Sequence, residues 1–136
     1  MMGNRGRVSA ASLEVASPSP VEKIARPDAP YDLTDEQAEE WWAVVNRLPA
    51  DWFPRETHGL LADYCRHVIK SRRIAQLVGA AEAEVELDVK KLDTLYKMAE
   101  RESRAASSLA TRLRITLQAT VSAKAQKPMT SKKPWE

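Results

Sequence analysis

A chain of 136 residues, 43% of them apolar and only 6% aromatic, can build one domain with a modest hydrophobic core. No stretch approaches the roughly 20 apolar residues that span a bilayer, and no apolar run follows Arg5 and Arg7 as in a secretory leader. Cys65 is the single cysteine, which excludes a disulfide framework and a cysteine-based zinc site and fits a cytosolic setting.

The net charge of +2 conceals four blocks of alternating sign. Tyr31–Tyr64 carries a net −6, Cys65–Ala80 a net +4, Ala81–Glu100 a net −3 and Arg101–Glu136 a net +6. Such segregation suits head-to-tail subunit contacts or a basic surface facing a polyanion; the plain alternative is solvated surface.

Residues 1–30 are rich in Ser, Ala, Pro and Gly, with Pro18, Pro20, Pro27 and Pro30 in the second half, and read as a disordered or extended arm. Helical signals begin at Thr34, which with Gln37 forms a capping box, and Asp35 and Glu36 complement the helix dipole. Ala38, Trp41, Trp42, Val45 and Leu48 then recur at helical spacing until Pro49 ends the run. Pro54 suits the first position of a second helix, over about Arg55 to Val78, for which Gly79 is a plausible stop. Its apolar stripe is Leu60, Leu61, Tyr64, Val68 and Ala75, and Cys65 reads as packed. Arg66, Lys70 and Arg73 form one basic ridge, with Arg72 adjoining.

A third and longest helix is predicted over about Leu87 to Ile115. Leu92, Leu95, Tyr96, Ala99, Ala106, Leu109, Ala110 and Leu113 share one face, interrupted midway by Glu102 and Ser103. Lys97, Arg101, Arg104 and Arg112 lie opposite, around Ser108, with Arg114 just beyond. Residues 122–136 carry Lys124, Lys127, Lys132 and Lys133 and read as a flexible basic tail. The expected fold is all-α: a compact three-helix domain over 31–121, made of a helical hairpin and a long C-terminal helix, between arm and tail.

Chemistry is hard to find. Gly3, Gly6, Gly59 and Gly79 cannot build a phosphate-cradling loop. His58 and His67 have no carboxylate at ligand spacing, and Glu82, Glu84, Glu86 and Asp88 spread over several helix faces, so no metal or other cofactor is expected. No nucleophile and base pair off, and the expectation is a non-catalytic protein. Trp41 and Trp42 suit either base stacking or, more naturally, core and subunit contacts, together with Leu92, Leu95, Tyr96, Leu109 and Leu113. The basic residues are the strongest functional signal. Arg66, Lys70 and Arg73, then Lys97, Arg101, Arg104, Arg112 and Arg114, and the four tail lysines, are the candidate contacts to a DNA backbone.

Several phrases in order resemble the small terminase subunits of tailed phages: Arg26–Pro30, Leu33–Glu36, Trp41-Trp42, Leu60–Cys65 and Ala105–Gln118. The resemblance covers about residues 26–120. Leu117 stands where the family often has Pro, and Ala119-Thr120 where it often has Ser-Arg. The resemblance implies a homo-oligomeric ring that binds double-stranded viral DNA in the host cytoplasm. That ring passes the DNA to a large subunit carrying the ATPase and nuclease. Rival readings are a helical assembly or scaffold protein without DNA, a dimeric DNA-binding regulator, and an unrecognised enzyme.

Overall fold

The computed structural model describes residues 24–125, with side chains through Val121. The regular structure is all-helical: α1 (Asp35–Arg47), a single 3-10 turn (Arg55–Thr57), α2 (His58–Glu82), α3 (Val89–Arg112) and α4 (Leu117–Ala125). No strand occurs among the described residues.

The capping box forms at α1: the Gln37 amide donates to Thr34 Oγ1 at 3.3 Å, and the Thr34 amide donates to Gln37 Oε1 at 3.0 Å. Leu48 ends the helix in extended backbone, the conformation a residue before proline prefers. Residues 24–30, assigned from sequence to the arm, lie along α1. Arg26 donates from Nε to the Val45 carbonyl at 3.3 Å and from a guanidinium nitrogen to the Leu48 carbonyl at 3.2 Å. The Trp41 indole in turn donates to the Pro27 carbonyl at 3.0 Å. The lead-in thus satisfies carbonyls that the end of α1 leaves orphaned, and the folded unit begins before residue 31.

Three features of α2 differ from expectation. Pro54 sits ahead of the 3-10 turn in extended backbone, and its carbonyl accepts from both the amide and the hydroxyl of Thr57, at 2.9 and 2.7 Å. Gly79 does not stop the helix, which runs on to Glu82. An interior glycine costs about 1 kcal/mol relative to alanine. Burial of Ala81 against Leu92 and Leu95 rewards the extra turn. The buried ridge is also rotated from the predicted one. Leu61, Ala62, Cys65, Ile69 and Ile74 are buried, Leu60, Tyr64 and Val68 half-buried, and Ala75 exposed. The cause is that α2 packs against α1 on one side and α3 on another, so no single stripe describes it.

Burial pushes the Cys65 thiol up to about 12, with a further upward push from Glu40. A raised thiol pKa favours the neutral form in the fold. Any stability cost therefore begins only above the ordinary thiol range, where the unfolded chain ionises first. At pH 8.5 a disulfide reagent is expected to modify Cys65 far more slowly in the native chain than in denaturant; equal rates would contradict this burial.

Asp88 caps α3, accepting from the Lys91 amide at 3.1 Å. The helix ends at Arg112 rather than Ile115. Arg114 adopts a left-handed φ of 58°, its amide donates to the Thr111 carbonyl and the Ile115 amide to the Ala110 carbonyl, each at 3.1 Å. This is a Schellman closure with arginine where glycine is preferred. Arg114→Gly is expected to raise the unfolding free energy by about 1 kcal/mol, read from denaturant titration; a loss would mean the side chain contributes more than the strain it imposes. A short α4 follows, within a region read from sequence as the end of the domain and the start of the tail.

The main core joins Trp41, Val44, Val45 and Leu48 of α1's end to Phe53, Leu61, Ala62, Cys65, Leu113 and Ile115. A second, smaller cluster of Ala81, Leu92 and Leu95 closes the far end of the α2–α3 hairpin. Between them Glu102 meets Nδ1 of His67. The polar break in α3's apolar face is therefore an interhelical pair.

Candidate nucleic-acid interface

The outward face of α3 follows from what its inward face must bury. Leu92 and Leu95 are buried, and Ala99, Glu102 and Ala106 half-buried. At about 100° per residue, Lys97, Arg101, Arg104 and Arg112 fall within an arc of about 80° on the other side. All four are exposed. The row extends over about 22 Å of helix axis.

Two of these cations have partners one turn away. Lys97 pairs with Asp93 at 2.8 Å, and Arg104 pairs with Glu100. Both pairs are exposed and therefore weak, easily exchanged for a phosphate. The hydrogen bond to Asp93 raises the Lys97 pKa, so the amine stays charged through neutral pH. Arg101 and Arg112 make no ion pair among the described residues.

The ridge on α2 is different. Arg66 is engaged by Asp32 at 2.7 Å and by Asp63 at 3.0 Å, so it fastens the lead-in to α2 rather than standing free. The adjoining Arg72 pairs with Glu40 of α1 at 2.7 Å. Lys70 and Arg73 are exposed, but Arg73 shares a shallow depression with Glu36 and Glu39. The acidic outer face of α1 thus dilutes this ridge, and the structure does not gather the two ridges into one site.

Arg112 and Arg114 come together elsewhere. They line a cavity of about 360 Å³ with Asp51, Trp52, Phe53, Pro54, Thr57 and Leu113. Lys124 belongs to α4, beyond the described side chains, and Lys127, Lys132 and Lys133 lie outside the described residues.

The candidate core and contact residues divide. Trp41 is fully buried, its ring edge-on to His58 with centroids 5.9 Å apart. Leu113 lies in the main core, Leu92 and Leu95 in the second cluster, and Leu109 is half-buried. Trp42 is at the edge, 36% exposed. Tyr96 is not a core residue: it is half-exposed, and its hydroxyl donates to Glu82 at 2.6 Å, tying α3 to α2. That hydrogen bond raises the phenol's pKa.

Sequence reasoning missed Trp52, whose indole donates to the Leu113 carbonyl at 3.3 Å, and Arg47, which donates to the Ile115 carbonyl at 3.2 Å. Local signals could not find either, because each partner lies more than 60 residues away. Among the described residues no three His, Cys, Asp or Glu side chains gather as a metal site would need. None of the described helices is long and apolar enough to cross a membrane.

No family model, curated protein or solved structure matches this chain.

Proposed function

We propose that this chain is a DNA-binding packaging protein of the small terminase kind, acting by contact rather than catalysis. The observation that carries the reading is the exposed row Lys97, Arg101, Arg104 and Arg112 on α3, facing away from α2 and only half-neutralised by weak pairs. A straight row of cations suits a phosphate backbone and offers no base-specific readout. Double-stranded viral DNA, a large terminase subunit and further copies of the chain in a ring are the partners this reading takes, in the host cytoplasm. Exposed Leu87, Val89 and Tyr96 near the hairpin tip favour self-assembly.

Affinity for duplex DNA of random sequence should fall steeply with salt. The logarithmic slope is about −0.9 per phosphate neutralised, so this row alone contributes about −3 to −4. A gel shift titrated from low to moderate salt measures it. Absence of a complex in dilute buffer, or a salt-insensitive one, would overturn the reading in favour of a scaffold that binds only protein. Light scattering then distinguishes a ring from a dimeric regulator.

A further inference from the structure

The cavity between the 3-10 turn and the end of α3 is built from two distant parts of the chain. Trp52, Phe53, Pro54 and Leu113 give it apolar walls, Arg112 and Arg114 give it two cations, and Asp51 one acid. Neither arginine has an ion-pair partner among the described residues, nor does Asp51. The Trp52 ring is held in place by its indole hydrogen bond to the Leu113 carbonyl. At about 360 Å³ the space lies within the range of sites that enclose a small ligand or one large side chain with its neighbours.

One segment of this chain, outside the described residues, matches these walls. Trp135 is the sole aromatic side chain after Tyr96, and it stands between Lys132-Lys133-Pro134 and Glu136. Base, ring and acid in the segment correspond to acid, apolar wall and base in the cavity. The reach suffices. The start of α4 lies three residues beyond Arg114, and its nine residues carry the chain about 14 Å. The ten residues from Ala125 to Trp135 span up to about 35 Å when extended, more than enough to return. Pro134 fixes its own φ, which lowers the cost of ordering the segment.

We propose that this cavity is the docking site for the chain's own Pro134–Glu136, with the Trp135 ring against Trp52, Pro54 and Leu113. The Glu136 carboxylate takes charge-assisted hydrogen bonds from Arg112 and Arg114, and Lys133 faces Asp51. Docking would draw the tail lysines back beside the arginine end of the α3 row. It does not depend on whether that row binds DNA.

The test uses the full chain with cysteine introduced at Ser131→Cys and carrying a nitroxide; Cys65 is buried and stays unlabelled. Paramagnetic broadening is expected at the amides of Trp52, Phe53, Leu113 and Arg114 and at the Trp52 indole N–H. It should vanish with Trp135→Ala. With Arg112→Gln and Arg114→Gly together, the ratio of docked to free tail should fall about tenfold or more. Broadening spread evenly over the surface, or unchanged by Trp135→Ala, overturns the proposal. Broadening seen only between labelled and unlabelled molecules in a mixture assigns the tail to a second copy and overturns intrachain docking. No DNA enters the measurement, so its failure and that of the DNA-binding reading are separately visible.

Discussion

Trp41→Ala is expected to lower the unfolding free energy by about 3–5 kcal/mol, a large share of the roughly 5–15 kcal/mol that holds a domain of this size. The ring is fully buried at the centre of the main cluster, with Val45, Leu61 and Cys65 equally enclosed. Truncation would open a cavity, and it would also remove the donor that fixes the Pro27 carbonyl. His58 would lose the ring against its edge, although its Nε2 would still reach the Phe53 carbonyl at 3.0 Å. Three parts of the chain therefore loosen together: the lead-in, the end of α1 and the start of α2. Chemical denaturation measures the loss. A cost under 1 kcal/mol would mean that this cluster is not the core. Trp42→Ala, at the edge, serves as the control and should cost much less.

The second large effect concerns binding. Replacing Arg101, Arg104 and Arg112 with glutamine is expected to flatten the salt dependence of DNA binding by about three logarithmic units of slope, one for each phosphate left without its arginine. Extrapolated from high salt, that amounts to roughly a thousandfold weaker complex at 50 mM salt. The fold should be little affected, within about 0.5 kcal/mol, because all three side chains are exposed and, among the described residues, only Arg104 has an ion-pair partner. Binding unchanged in the triple variant would move the contact surface to Lys70 and Arg73 or to the tail.

How much of this was legible depended on how local each cause is. The Thr34 and Gln37 box acts within three residues, and α1 starts where it says. Pro49 likewise marks the end of α1 through its effect on its immediate neighbour. Gly79 misled because its fate is settled across the hairpin, by Leu92 and Leu95 enclosing Ala81. The α2 stripe was displaced because two partner helices superimpose two periodicities on one sequence. Glu102 was visible as a blemish in an apolar face, yet nothing nearby named His67, 35 residues earlier, as the reason. Of the candidate interface, the α3 row was readable because helical spacing alone aligns its members. The fate of Arg66 was not, because Asp32 lies in the lead-in, 34 residues away. The cavity beneath Arg112 and Arg114 was invisible for the same reason: its opposite wall is written some sixty residues earlier.

The division of the hydrophobic interior into two unequal parts has a mechanical consequence. Ten buried side chains gather at one end of the hairpin and three at the other, with the buried Ile69 and Ile74 and a hydrogen-bonded carboxylate and imidazole between. Apolar cohesion is concentrated near Trp41, while the turn joining α2 to α3 is held by Ala81, Leu92 and Leu95, the Tyr96–Glu82 hydrogen bond and the exposed Lys91–Glu84 pair. Backbone amides beside that turn are therefore expected to exchange with solvent sooner than those around Trp41.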